Sequence, residues 1–312
     1  MNTRLRERVA GAPISWGVCE VPGWGHQLFP ERVFAEMRDL GLGATELGPE
    51  GYLSPGNPSA IRSLLGAFGL RLVAAFVPTV LHEPDRVEVE LARLRRRATF
   101  LASAGAEVLV LAVSTGREGY EEAEAIDAQG WRTLGRALDR AADAAGEEGV
   151  LATVHPHQGT LVEGPEEVDR VLEVSEIALC LDTGHLVVGG SDPASIAARA
   201  AGRVGHVHLK DVDAEAASKV RDGALGYRDA VAGGLYRRLG AGSADIAGTV
   251  HALERSGYTG WYVLEQDAVL PAEPEPGVGP VEDVHASIAF LERLWERIAP
   301  QGDLRSAAQD RA

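Results

Sequence analysis

Cysteine is nearly missing from this chain: of 312 residues only Cys19 and Cys180 carry a thiol. A disulfide framework is therefore not what organises it, and a reducing compartment, the cytoplasm, is the expected setting. Excess basic charge is missing too. Thirty Lys and Arg stand against 46 Asp and Glu, a formal net charge of −16, which argues against nucleic acid or an anionic membrane surface as partner. No run approaches the ~20 apolar residues needed to span a bilayer. Met1 to Arg8 is polar and lacks the apolar core of a signal peptide. There is also no glycine-rich dinucleotide turn after the first apolar run, which disfavours a doubly wound nucleotide-binding sheet.

What is present is a regular alternation of short apolar runs and longer amphipathic segments. Strands are expected at Val9 to Trp16, Ala44 to Leu47, Leu70 to Val77 (stopped by Pro78), Glu107 to Val113, Val150 to Val154, Ile177 to Leu181, Val204 to Leu209 and Trp261 to Leu264. Between them helical spacing recurs, as in Val33, Met37 and Leu40, or in the Arg- and Glu-rich stretch from Pro84 to Ala104. Eight such units in one chain predict a single-domain α/β fold, a (β/α)8 TIM barrel over residues 1–299, with a flexible tail at 300–312. The acidic stretch from Gly116 to Gln129, which contains Tyr120, reads as a polar loop. Residues 212–241, with Gly223, Gly226, Gly233 and Gly234 among them, read as a mobile loop over the barrel top.

Five of the nine histidines lie between residues 153 and 211. His155, Asp182, His208 and Glu265 each fall where a strand gives out, the end at which barrels of this kind place their chemistry. The first three are 27 and 26 residues apart, about one strand-helix unit each, so they converge on one mouth. Two imidazoles and two carboxylates suit a divalent cation, Mn or Co first, with Mg or Zn as alternatives. His157, His185 and Lys210 lie two or three residues beyond these positions, where they are expected to face substrate. Glu46 ends the second strand and Trp16 the first, as further substrate-facing candidates, with Trp24 nearby. Cys180 is expected in the core.

At these residues the chain resembles the sugar-isomerase-like metal barrels, the superfamily of xylose isomerase and ketose 3-epimerases, and within it most of all the inosose dehydratases of inositol catabolism. The resemblance runs through Ala12-Pro13-Ile14-Ser15-Trp16-Gly17, Thr45-Glu46-Leu47-Gly48, His155-Pro156-His157, Leu181-Asp182-Thr183-Gly184-His185, His206-Val207-His208-Leu209-Lys210-Asp211, Leu239-Gly240-Ala241-Gly242 and Glu265-Gln266-Asp267. It implies metal ligands at His155, Asp182, His208 and Glu265. The strand-five ligand is a histidine where the superfamily usually has glutamate, and both His155 and His157 are open for that role. Cys19-Glu20-Val21-Pro22 stands where inosose dehydratases often carry paired aspartates.

The implied chemistry is removal of a proton next to a carbonyl through an enediolate, with the metal as Lewis acid. His185, His157, Glu265 and Lys210 are the candidate acid–base residues. Dehydration of a keto-inositol or similar keto-polyol is the expected outcome. Isomerisation or epimerisation of a ketose, cleavage of a 3-keto-glycoside and non-catalytic sugar binding are the alternatives. The partner is then a small polyol or sugar, and a homo-oligomer is left open.

Overall fold

In the computed structural model, residues 6–53, 57–117 and 125–298 are described. Strands β1 (Val9–Gly11), β2 (Ala44–Glu46), β3 (Arg71–Thr79), β4 (Val108–Val113), β5 (Leu151–Val154), β6 (Ala178–Asp182) and β7 (Val204–Leu209) follow one another around a barrel. A short antiparallel pair, β8 (Asp211–Val212) and β9 (Tyr236–Arg237), precedes the last barrel strand, β10 (Tyr262–Leu264). Every barrel pairing is parallel. Val263 sits opposite both Ala10 of β1 and His208 of β7, which closes the ring.

Helices over each crossover form the outer layer, so the strands are buried on both faces and read as continuous apolar runs. All six residues of β4 are buried. Along each strand alternate side chains point inward. The lower interior is filled by small groups, Ala10, Ala44, Ala74, Val110, Cys180 and Val263 among them, above Trp261. Trp261 Nε1 donates to Glu107 and the Arg71 guanidinium lies 4.4 Å from its ring centroid. The next inward positions up are Glu46, His155, Asp182, His208 and Glu265. The same alternation that builds the core thus delivers the polar set to one level.

Three expectations need correction. The first strand stops at Gly11 and residues Pro13–Trp16 form a 3-10 turn, because proline fixes φ and has no N–H for the ladder. Conversely, β3 runs through Pro78 to Thr79. Its neighbour β2 ends at Glu46, opposite Ala74, so on that side β3 has an open edge where a missing N–H costs nothing. Most consequential, residues 212–241 are a folded cap. Helices Ala214–Arg221 and Tyr227–Ala232 and the β8–β9 pair enclose their own apolar cluster of Val212, Ala217, Val220, Tyr227, Val231, Leu235 and Tyr236, which also packs on Trp24 and Val188. Two of its glycines, Gly223 and Gly234, have φ of 69° and 86° and mark tight turns between these elements.

Asp211 fastens the cap to the barrel. Its carboxylate accepts from the backbone N–H of Val212, Gly240, Gly242 and Ala244 at 2.8–3.0 Å. A Cβ on Gly242 would lie 2.4 Å from Asp211 Oδ1, so that close approach requires glycine. Tyr120 and the tail at 300–312 lie outside the described residues. Among the described residues no helix is long and apolar enough to cross a membrane.

Candidate metal centre and active site

The ends of four strands bring four donor atoms together. His155 Nε2 lies 3.3 Å from Asp182 Oδ2, His208 Nδ1 lies 3.5 Å from the same oxygen, and His208 Nδ1 lies 3.2 Å from Glu265 Oε2. First-row divalent cations bind such ligands at roughly 2.0–2.2 Å, and donors about 3.3 Å apart are what tetrahedral coordination at that radius produces. Of the two strand-five histidines it is His155 that reaches this cluster. His157 turns its Nδ1 to the Gln158 carbonyl at 2.8 Å and stacks on His185, ring centroids 3.9 Å apart.

One buried nitrogen tests the fit. Glu46 Oε1 is 2.8 Å from His206 Nε2 and 3.0 Å from His208 Nε2. An ionised carboxylate only accepts, so both Nε2 atoms carry the proton. His208 Nδ1 has no hydrogen-bond partner, yet it faces two carboxylate oxygens. A lone pair held against two anions is repulsive unless positive charge lies between them. The electrostatics agree. Glu46, Asp182, Glu265 and Asp267 are all within the barrel mouth and almost fully buried, against one buried lysine, Lys210. Burial opposes ionisation of Asp182, but the Lys210 ammonium, together with His185 and the hydrogen bonds from His155 and His208, holds the carboxyl well below its usual value. Burial also opposes protonation of His208, but Cys180, Glu265 and Glu46 raise it well above the ordinary imidazole value: the charge between Nδ1 and the two carboxylates is a proton on Nδ1 when no ion is bound, and a metal ion would take that proton's place. The donor set fits a divalent metal.

Above the cluster opens a cleft of ≈ 700 Å³. Ile14, Val18, Val21, Trp24 and Phe76 supply apolar wall, and Glu20, His157, His185, Lys210, Tyr227 and Asp267 supply polar groups. Burial, followed by the charges of neighbouring groups, lowers His185 well below its ordinary value and His157 to about 3. Both rings are therefore neutral at pH 7. Burial works against the Lys210 charge, but Asp182, Asp267 and Glu265 raise it well above its usual value. Lys210 Nζ lies 3.2 Å from His185 Nε2, so a neutral base and a fixed cation stand side by side.

Of the residues expected to face substrate, His157, His185, Lys210 and Glu46 line this cleft. Trp16 does not. It is buried in the barrel wall with its Nε1 donating to Glu36 at 2.7 Å, because the turn after Pro13 rotates it outward, and Trp24 is the tryptophan at the mouth. Cys180 is in the core as expected, its thiol pushed by burial up to about 11.

A model of the xylose isomerase-like TIM barrel matches residues 34–294 of the chain. The inosose dehydratase of Geobacillus kaustophilus is 31% identical over 299 residues, covering 92% of this chain and 94% of its own. The chain belongs to the xylose isomerase-like TIM barrel family. The rhizopine catabolism protein MocC of Rhizobium meliloti is 33% identical over 274 residues, covering 85% of this chain and 83% of that one. Among solved structures of the fold, the IolI protein with a bound zinc atom superposes with a TM-score of 0.68 at 13% identity, over 94% of this chain and 100% of that one.

Three residues at this xylose isomerase-like barrel's mouth escaped sequence reasoning: Tyr227 and Asp267, which line the cleft, and Tyr236 behind its wall. Asp267 Oδ1 accepts from Lys210 Nζ at 2.7 Å and its Oδ2 from the Tyr227 hydroxyl at 3.2 Å. Asp267 stood in the Glu265-Gln266-Asp267 motif, two residues past a strand end like Lys210, and that spacing was the available signal. The tyrosines had none, since they arrive through the fold of the cap.

Proposed function

We propose that this chain is a divalent-metal-dependent dehydratase acting on a keto-inositol or a closely similar keto-polyol. The observation that carries this reading is the run of donor atoms from His155 through Asp182 and His208 to Glu265, each 3.2–3.5 Å from the next. It lies beneath a cleft whose buried lysine, Lys210, is balanced by Asp182, Glu265 and Asp267. The nearly full-length likeness to an inosose dehydratase supports the substrate class. We take the metal to be Mn or Co, since two imidazoles and two carboxylates make a mixed nitrogen and oxygen donor set, which favours these ions over Ca. Two free thiols fit a cytoplasmic setting.

When bound, the cation supplies Lewis-acid polarisation of the substrate carbonyl. The chain's own groups do the rest. His155, Asp182, His208 and Glu265 hold the ion. Glu46 positions His208 with Nδ1 toward the donor cluster. His185, neutral and buried, takes the proton from the carbon next to the carbonyl, with His157 stacked against it. Lys210 gives a proton to the hydroxyl leaving from the next carbon. Its high pKa does not prevent this, because a departing hydroxide is a far stronger base than an amine, bulk water having a pKa of about 15.7. The C–H and C–O bonds break, a carbon–carbon double bond forms and water leaves. The apolar wall of Ile14, Val18 and Phe76 packs on the C–H face of the ring and limits competing hydration.

NMR of product formed from a keto-inositol in deuterated buffer tests the reading. Loss of water with the enone or its diketone tautomer as product is expected. Deuterium exchange without loss of water would overturn dehydration in favour of epimerisation, and no exchange at all would overturn catalysis.

A further inference from the structure

A closed ring of hydrogen bonds joins the cap to the acid–base pair. Lys210 Nζ lies 2.7 Å from Asp267 Oδ1 and 3.2 Å from His185 Nε2. His185 Nδ1 lies 3.3 Å from the Tyr236 hydroxyl, that hydroxyl 3.1 Å from Tyr227 OH, and Tyr227 OH 3.2 Å from Asp267 Oδ2. All five side chains are over nine-tenths buried.

The donors in this ring have one consistent order. A charged lysine can only donate, so His185 Nε2 accepts and the imidazole proton resides on Nδ1. That N–H donates to Tyr236, Tyr236 donates to Tyr227, and Tyr227 donates to Asp267, an acceptor that also takes the other lysine proton. The Gln158 backbone N–H also points at His185 Nδ1, at 3.4 Å; it is the longest contact of the set, and a proton on Nδ1 displaces it in favour of Tyr236. Reversing any link would place two protons in one gap or two lone pairs in another. Tyr236 lies behind the cleft wall, whereas His185, Lys210, Tyr227 and Asp267 line it.

We propose that Tyr227 and Tyr236 of the cap, with Asp267, are positioning residues: they fix the His185 proton on Nδ1, so that Nε2 is the unprotonated nitrogen, accepting from Lys210 at rest and open to the substrate proton once Lys210 turns to the leaving hydroxyl. The cap is then a working part of the active site as well as its roof. The tyrosines need the cap cluster of Val212, Val231 and Leu235 to be seated, so substrate-facing chemistry and cap closure are tied by the same two rings. This inference rests on the proposed roles of His185 and Lys210, and two independent readouts separate the two.

The first readout needs no substrate. In zinc-loaded protein with 15N-labelled histidine, His185 is expected to show a protonated Nδ1 and an unprotonated Nε2. Tyr236→Phe and Asp267→Asn are expected to mix the tautomers, and Asp267→Glu to restore the pattern in part. A wild-type His185 protonated at Nε2 would overturn the ring. The second readout is kinetic, on keto-inositol. Tyr236→Phe and Tyr227→Phe are expected to lower kcat on the order of 100-fold, the lower end of what positioned acid–base groups contribute, with KM within threefold. Tyr258→Phe deletes a hydroxyl bonded to the Trp261 carbonyl at the opposite end of the barrel and is expected to leave kcat unchanged. An equal fall in Tyr258→Phe, or kcat within twofold of wild type in both cap variants, would overturn the proposal. Inactivity of the wild type on every keto-polyol, with the Nδ1 tautomer intact, would instead overturn the dehydratase reading and leave the ring standing.

Discussion

Replacing Glu46 by glutamine keeps the shape of the side chain and removes its charge, and the consequence can be followed atom by atom. Oε1 now takes two N–H groups, from His206 at 2.8 Å and His208 at 3.0 Å. Hydrogen bonds to an ionised acceptor are roughly twice as strong as neutral ones, so both weaken in Glu46→Gln. One amide rotamer places an NH2 against the two imidazole donors. His208 is then free to move its proton to Nδ1, the atom that faces Asp182 and Glu265, and that proton competes with a cation. Loss of such an outer partner typically costs about 10–100-fold in metal affinity, or about 1.4–2.7 kcal/mol. Two bonds are affected here, so we expect the upper half of that range. Calorimetric titration of metal-free protein with Mn or Zn measures it, with one ion still bound per chain at saturation. Unchanged affinity would refute the assignment of Glu46 as the group that orients His208. Complete loss of binding, as in a variant of a direct ligand, would refute it equally by making Glu46 a ligand itself.

Further outcomes follow from the same geometry. Asp182→Ala is expected to abolish metal retention, and to lose about 1 kcal/mol of stability besides, because Oδ1 caps the helix Thr183–Val188 through Gly184 and His185 N–H; metal content equal to wild type in purified protein would defeat the donor set. Gly184→Ala would put a Cβ 2.6 Å from Lys210 Cγ, so kcat should fall steeply while metal affinity, measured by the same titration, changes little. Asp211→Asn trades a charged acceptor of four backbone N–H groups for a neutral one and should cost about 2 kcal/mol. Its effect should appear as faster amide exchange in residues 212–241 ahead of the barrel strands, and uniform exchange across the chain would contradict the clamp.

The barrel and most of the donor set were legible in the chain because both depend on local regularities. Burial on two faces writes a strand as a run such as Val108 to Val113, and the two-residue alternation sets Cys180 under Asp182 and His206 under His208. A polar residue where such a run gives out is therefore at the mouth, whatever the rest of the fold does. His155, Asp182, His208 and Glu265 could be placed that way. That regularity fails at Trp16, since one proline, Pro13, ends the alternation and turns the ring into the wall. Glycine content at 212–241 does not mean mobility either, because Gly223 and Gly234 serve turns inside a cap with a core of its own.

What the sequence determined by itself is the α/β barrel, its family resemblance and the level at which its imidazoles and carboxylates gather. Only the tertiary structure decided which atoms of those groups meet. Glu46 and His208 are 162 residues apart and touch because β2 and β7 face each other across a closed ring. That one contact selects the nitrogen of His208 left to face the other donors. Tyr227 and Tyr236 reach His185 and Asp267 because an apolar cluster folds the cap back over the mouth. Spacing along a chain encodes direction from a strand, but hydrogen-bond partners across a barrel are fixed by closure, and closure is a property of all eight strands together.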